Sequence, residues 1–222
     1  MLKSISLENY KCFEKRTDIN IAPLTVLCGV NSSGKSSILK SLLMLKQSYE
    51  NESPYNEMTF NGKWVDNGYF HDIIYHDINT ETENLNDKSF KLTTVFHITN
   101  TSNEEGNNPV KRQDIPSFKE LKKLFYPTNN IHLFKISISI TVTSGSYPNN
   151  NNFISFIENN KIVYSRIDID LFSDKKSKLN NEPCFVELTK IGNTERDYYI
   201  NCNIPNYDKF NRMLKKEVLH HF

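Results

Sequence analysis

Residues 24–37 read LTVLCGVNSSGKSS, a short apolar run that is followed directly by a loop with two glycines. Its second part, from Gly29 to Ser36, fits the pattern G-x-x-x-x-G-K-[ST], in which glycines and small residues let backbone N–H groups wrap a phosphate. Its first part, residues 24–27, is a short apolar run typical of a strand buried on both faces. From Lys35 to about Ser48 apolar residues recur at helical spacing. The order strand, glycine loop, helix predicts a P-loop.

The parts of this loop have separate predicted roles. Lys35 is expected to place its ammonium on the β- and γ-phosphates of a nucleotide, and Ser36 is expected to ligate Mg²⁺ through its hydroxyl. Ser36 is the one predicted metal ligand. The loop by itself reads phosphates and not the base. The predicted nucleotide-binding residues are Gly29, Asn31, Ser32, Ser33, Gly34, Lys35, Ser36 and Ser37.

Strands are predicted on both sides of the P-loop. Apolar and polar residues alternate over residues 2–7 and again over 19–21, which indicates a hairpin or a small antiparallel sheet. After the P-loop helix, β-branched and aromatic residues dominate a series of segments separated by polar turns, which predicts a mostly antiparallel β region. These segments are 90–98, 131–142, 153–157, 161–169, 184–188 and 198–204. Helices are predicted over 117–125 and from about Tyr207 onward.

The composition limits the classes of partner. The chain has 27 basic and 26 acidic residues, a net charge of +1. No general field therefore draws it to nucleic acid or to an anionic membrane, and charge does not support nucleic-acid binding. The four cysteines form no CxxC pair, and no stretch approaches the ~18 apolar residues of a membrane span. A cytoplasmic protein with reduced thiols and no membrane contact is expected.

Other P-loop classes fit less well. A GTPase would need an N/T-K-x-D motif after the loop, and the sequence contains none. A small-molecule kinase would need alternating strands and helices and an arginine-bearing lid. The region after the loop is instead rich in strand patterns and poor in arginine, so a free-standing kinase is disfavoured.

Several stretches are similar to a known family. LENYKCF at residues 7–13, followed by the P-loop stretch, resembles the heads of ABC-type ATPases of the RecF, SMC and OLD kind, often called AAA family ATPases. LLMLKQ at 42–47 and NGKWVDNGYFHDII at 61–74 resemble bacterial members, many of which belong to anti-phage defence systems. The resemblance is strong over residues 1–78 and only architectural beyond them.

The resemblance implies the fold class and the cofactors. The expected fold is α/β (α+β), a P-loop NTPase head lobe of the ABC type with a mostly antiparallel β region, and the expected cofactors are ATP and Mg²⁺. Residues 1–222 are expected to form a single incomplete ATPase head. It would comprise N-terminal strands, P-loop and helix in 1–50, the β region in 51–205 and the start of a C-terminal helix in 206–222.

The resemblance also shows what is missing. Such heads hydrolyse ATP when two copies sandwich the nucleotide, using a signature motif from the partner and a Walker B strand of four apolar residues that ends in two acidic residues. Neither motif is recognisable: residues 184–187 are too short, and 167–170 alternate like a half-buried strand. No catalytic base is assigned. Hydrolysis is expected only if a C-terminal half or a partner completes the head.

Two interpretations of the function follow. The first is an ATP-binding lobe in an anti-phage defence or DNA-maintenance system, with a second copy, another ATPase lobe or an effector protein as its partner. The alternative is a truncated, non-enzymatic regulator that uses nucleotide to control association.

Four further residues have local predictions. Tyr10 and Phe13 are expected either in the core or near the adenine, and Lys11 either contacts a phosphate or does not. Gln47 is expected on the solvated surface of the P-loop helix.

Overall fold

Seven strands and two helices are found in the part of the chain that the structure, a computed structural model, describes. The described residues are 1–50, 58–77, 88–99, 122, 125, 131–145, 159–173, 177–180, 182–190 and 198–204. In chain order the elements are β1 (Leu2–Glu8), β2 (Thr17–Asn20), α1 (Lys35–Glu50), α2 (Phe70–Ile73), β3 (Ser89–Thr99), β4 (Leu133–Gly145), β5 (Asn159–Phe172), β6 (Cys184–Lys190) and β7 (Tyr198–Cys202).

The strands form one antiparallel sheet in the order β2-β1-β3-β4-β5-β6-β7. Its register aligns the apolar residues Leu7, Leu92 and Ile140 across three strands on one face. The next row, on the other face, is polar and consists of Ser6, Thr93, Ser139, Arg166 and Glu187. Because side chains alternate between faces along a strand, this register gives the sheet one apolar and one polar side. The predicted N-terminal hairpin and antiparallel β region are confirmed.

Helix α1 and residues 58–74 cover the apolar face near β1. The centre of this first core is Phe90, which is fully buried. Its ring centroid lies 5.6 Å from that of Tyr10 and 6.0 Å from those of Phe60 and Phe70. Aromatic rings at these separations add attraction beyond the area that they bury. Ile38 and Met44 of α1 belong to the same core, which holds the helix against the sheet, and the predicted helix from Lys35 is confirmed.

A second core lies under the same face, toward the β6 and β7 side of the sheet. Its buried members are Phe125, Ile131, Phe134, Ile169, Leu171, Val186 and Ile204. Asn203 closes this end, since its Oδ1 accepts a hydrogen bond from Phe185 N at 2.6 Å and its Nδ2 donates to Pro183 O at 3.3 Å. The predicted strand 153–157 and the helix from Tyr207 lie outside the described residues, as does the helix over 117–125 apart from Lys122 and Phe125.

The segment before the P-loop is exposed, so the prediction of a doubly buried strand at 24–27 is wrong. The side chains of Leu24 and Val26 are 82% and 72% exposed, and the segment has no strand assignment. Only Leu27 of this run packs against the first core. The reason is the absence of a ladder: within the described ranges the strands pair with one another, and none lies beside residues 24–27. An unpaired apolar run cannot bury both of its faces.

Candidate nucleotide-binding site

The P-loop has an unusual backbone. Gly29, Ser32 and Gly34 have φ values of 154°, 64° and 90°, which are rare for residues with a Cβ. Successive N–H groups in loops of this kind converge and form a concavity that binds anions. Helix α1 begins directly after the loop, with Ile38 N donating to Gly34 O at 3.0 Å. The loop therefore has φ values of the kind that such concavities require, and it lies at the positive end of a helix.

Lys35 folds back over this loop. Its Nζ donates hydrogen bonds to Gly29 O at 2.7 Å and to Val30 O at 2.6 Å, and lies 3.4 Å from Ser33 Oγ. These acceptors are neutral, whereas a phosphate oxygen would accept stronger, charge-assisted hydrogen bonds. The ammonium is thus held by groups that an incoming phosphate can replace.

The turn at the end of β1 covers Gly34. A Cβ built on Gly34 would lie 2.7 Å from both Cys12 Sγ and Phe13 Cζ, so any other residue would collide with this turn. Phe13 therefore contacts the P-loop, whereas Tyr10 is fully buried in the first core, and burial raises the pKa of its phenol. The contact of Cys12 with Gly34 was not predicted, because a single cysteine has no sequence signature for such a position.

Lys11 lies near a second cation beside the P-loop helix. Burial lowers the pKa of Lys11, and the charge of Lys40 lowers it further, while Asp72 opposes both. Its Nζ donates to Asp72 O at 3.3 Å. Two neighbouring ammonium groups are stabilised by an anion placed near both of them. A phosphate contact for Lys11 stays a prediction.

The remaining predicted nucleotide-binding residues line the same loop. Asn31, Ser32 and Ser33 are exposed, Ser37 is half-buried, and Ser36 is exposed in the first turn of α1. Among the described residues no group of His, Cys, Asp and Glu side chains is placed to hold a metal ion alone. Mg²⁺ commonly keeps several waters and uses substrate phosphates as ligands. The exposed Ser36 hydroxyl fits that chemistry, and its role stays a prediction.

Gln47 corrects one sequence-based expectation. It is buried instead of solvated, with only 1% of its surface exposed. Its Nε2 donates to Thr59 O at 2.8 Å, and its Oε1 accepts from Val65 N at 3.0 Å. The helix pattern could not show this, because the segment that covers Gln47 is distant in sequence and has no regular periodicity.

The two segments most similar to a Walker B strand carry Asp168 and Glu187, and these residues lie on the face of the sheet opposite α1. Asp168 and Glu187 both bond Arg166, at 2.9 and 3.0 Å. They belong to the polar face, whereas α1 covers the apolar face. These two carboxylates therefore lie on the face of the sheet opposite α1, and the absence of a Walker B motif stays a prediction.

Comparison with known proteins gives one family. A family model described as an AAA ATPase domain matches residues 1–218. No curated protein and no solved structure gives a match. The matched range contains the P-loop and the two helices and seven strands of the described residues. In the described part of the chain, no helix has the length and apolar character needed to cross a membrane.

Proposed function

Since the chain belongs to the AAA ATPase domain family, and so has a P-loop NTPase fold and a nucleotide-binding ATPase function, we propose that it is the ATP-binding lobe of an ABC-type ATPase. The observation that carries the proposal is the position of Lys35 Nζ over the loop, between Gly29 O and Val30 O. A cation in that position matches the β- and γ-phosphates of a nucleotide. The concave backbone and the start of α1 supply the remaining phosphate contacts.

Each residue of the loop has a role in this proposal. Gly34 has no Cβ, so the Cys12 and Phe13 side chains can pack against it, and its backbone can approach a phosphate closely. Lys35 exchanges its carbonyl partners for phosphate oxygens. Ser36 and the phosphates would hold Mg²⁺, which neutralises charge on the phosphate oxygens when bound. Binding is favoured over autonomous hydrolysis, because Asp168 and Glu187 are paired with Arg166 on the opposite face.

The finer assignment rests on the resemblance. Residues 7–13 and 61–74 are similar to bacterial ATPases of the RecF, SMC and OLD kind, and this supports a cytoplasmic role in anti-phage defence or DNA maintenance. The preference for adenine has the same basis. A regulator that uses nucleotide only to control association remains the alternative, and the paired state of Asp168 and Glu187 is the observation that favours it.

Titration of MgATP into the purified chain, followed by calorimetry, tests the binding function. We expect saturable binding of one nucleotide per chain, weaker binding when EDTA removes Mg²⁺, and negligible ATP turnover in the same samples. GTP serves as the control for base preference. Absence of any binding would contradict the proposed function, and rapid turnover by the chain alone would contradict its assignment as a binding lobe.

The exposed segment before the P-loop supports association with another ATPase lobe, either a second copy or a different chain. Leu24, Val26 and Val30 are 82%, 72% and 80% exposed. Apolar side chains clustered in this way mark protein interaction sites. Their position next to the nucleotide loop would let the bound nucleotide influence the interface.

Sedimentation velocity with and without MgATP tests this association. We expect a larger species with MgATP, and we expect Val26→Asp to prevent its formation, because a carboxylate would then be buried in an apolar contact. Leu179→Asp is the matched control, since Leu179 is also exposed but follows β5, away from the P-loop. A monomer under every nucleotide condition would rule out the second copy as the partner.

A further inference from the structure

A polar turn after α1 is closed by one exposed side chain. Asn61 Oδ1 accepts hydrogen bonds from Asn67 N and Gly68 N, both at 2.9 Å, and Asn61 Nδ2 donates to Gly68 O at 2.9 Å. Gly68 has a φ of 80°, and a Cβ there would collide with the carboxylate of Asp72. That carboxylate accepts a hydrogen bond from Tyr69 N at 2.7 Å. Asn61 and Asp72 therefore fix the path of the chain into α2.

The far end of this segment is bonded to the turn that covers the P-loop. We call residues 9–13 the cap. Lys11 N donates to Ile73 O at 2.6 Å, and Tyr75 N donates to Asn9 O at 3.3 Å. Asn9 and Lys11 have φ values of 53° and 51°. Residues with a Cβ keep such conformations only where the surrounding structure holds them. The hydrogen bonds that Lys11 and Asn9 make with Ile73 and Tyr75 supply that support.

The near end of the segment is bonded to the P-loop helix. Gln47 bonds Thr59 O and Val65 N, and Ser48 Oγ accepts a hydrogen bond from Thr59 N at 2.9 Å. Trp64 is held at the same place, with Lys46 Nζ 3.8 Å from its ring centroid. Residues 58–65 are therefore tied to α1, the helix that also carries Lys35.

These contacts close a circuit around the nucleotide site. The P-loop continues into α1, α1 holds residues 58–65, the Asn61 turn leads to α2, α2 holds the cap, and the cap lies against Gly34. We infer that residues 58–77 are a clamp that holds the cap on the P-loop, and that Asn61 is a positioning residue for nucleotide binding. The inference rests on the proposed nucleotide site. Asn61 acts within the clamp, because its side chain bonds the backbone of residues 67 and 68 and does not contact the P-loop.

Replacing Asn61 with alanine tests the clamp. We expect Asn61→Ala to bind MgATP roughly 2- to 30-fold more weakly than the unmodified chain, the range found for residues that act through a network. Asn61→Asp keeps an acceptor for the two N–H groups and should recover part of the affinity. The matched control is Asn203→Ala. Asn203 is also exposed, and it also accepts from a backbone N–H and donates to a backbone carbonyl, but it follows β7 at the opposite edge of the sheet.

Calorimetry with MgATP measures the affinity, and thermal unfolding followed by the fluorescence of Trp64, the single tryptophan, measures stability. The inference predicts that both alanine variants lose stability and that only Asn61→Ala loses affinity. Unchanged affinity in folded Asn61→Ala, or an equal loss in Asn203→Ala, would overturn it. If Asn61→Ala does not fold, Asp72→Ala is tested in its place. It should also bind MgATP more weakly, and unchanged affinity in the folded variant, or an equal loss in Asn203→Ala, would overturn the inference. Absence of binding by the unmodified chain would contradict the nucleotide site itself, so the two failures are distinguishable.

Discussion

Replacing Lys35 with alanine is expected to weaken MgATP binding roughly 10²- to 10⁴-fold, the largest effect on affinity in the chain. The ammonium would contact two phosphates, and hydrogen bonds that involve charged groups contribute about 1.5–3 kcal/mol each. The fold should be unaffected, because the present partners of Lys35 Nζ are acceptors at the exposed surface. Calorimetry gives the affinity, and thermal unfolding checks the fold.

Lys135→Ala is the control for this prediction. Lys135 is half-buried, as Lys35 is, but it lies on β4 and on the polar face of the sheet, opposite the face that α1 covers. Its removal should leave the affinity for MgATP unchanged. If Lys35→Ala and the unmodified chain bind MgATP equally well, the ammonium does not contact phosphate, and the loop has another function.

Replacing Phe90 with alanine is expected to lower the free energy of unfolding by about 3–5 kcal/mol, the cost of removing a large buried ring. Phe90 is fully buried and contacts the rings of Tyr10, Phe60 and Phe70. Because domains are stable by only about 5–15 kcal/mol, this loss is a large part of the total. Urea unfolding followed by Trp64 fluorescence measures the change.

Phe96→Ala provides the comparison. Phe96 is on the same strand and the same face, six residues from Phe90, but it is only half-buried. Since less area returns to water, its replacement should cost less than that of Phe90. Equal costs at the two positions would show that the first core is not centred on Phe90.

The sequence predicted the features that have a local signature. The P-loop, the helix from Lys35 and the antiparallel strands were recognisable because glycine spacing and hydrophobic periodicity depend on neighbouring residues. The prediction of a buried strand at 24–27 was wrong. The composition of this run shows a preference for burial, but it does not show whether another strand is available to pair with it. Tertiary context decides that question.

The cap and the clamp had no local signature to detect. Lys11 meets Ile73, and Gln47 meets Val65, through hydrogen bonds between segments that are separated in sequence and not periodic. Asparagine and lysine at positive φ are compatible with many turns, so neither identifies the cap. The resemblance marked residues 61–74 as shared with relatives, but only the structure shows which backbone groups those residues hold.

The pairing of β1 with β3 determines when the site can form during folding. Leu7 lies opposite Leu92, and Asn9 Nδ2 bonds Ser89 O, so the second partner of the strand that ends at the cap lies about 80 residues further along the chain. Closing such long loops costs entropy before any contact is gained, and contacts of this kind slow folding. A ribosome-bound chain that ends before β3 therefore has the complete P-loop sequence, but its β1 is paired only with β2. Nucleotide binding should appear late in synthesis, after β3 has emerged.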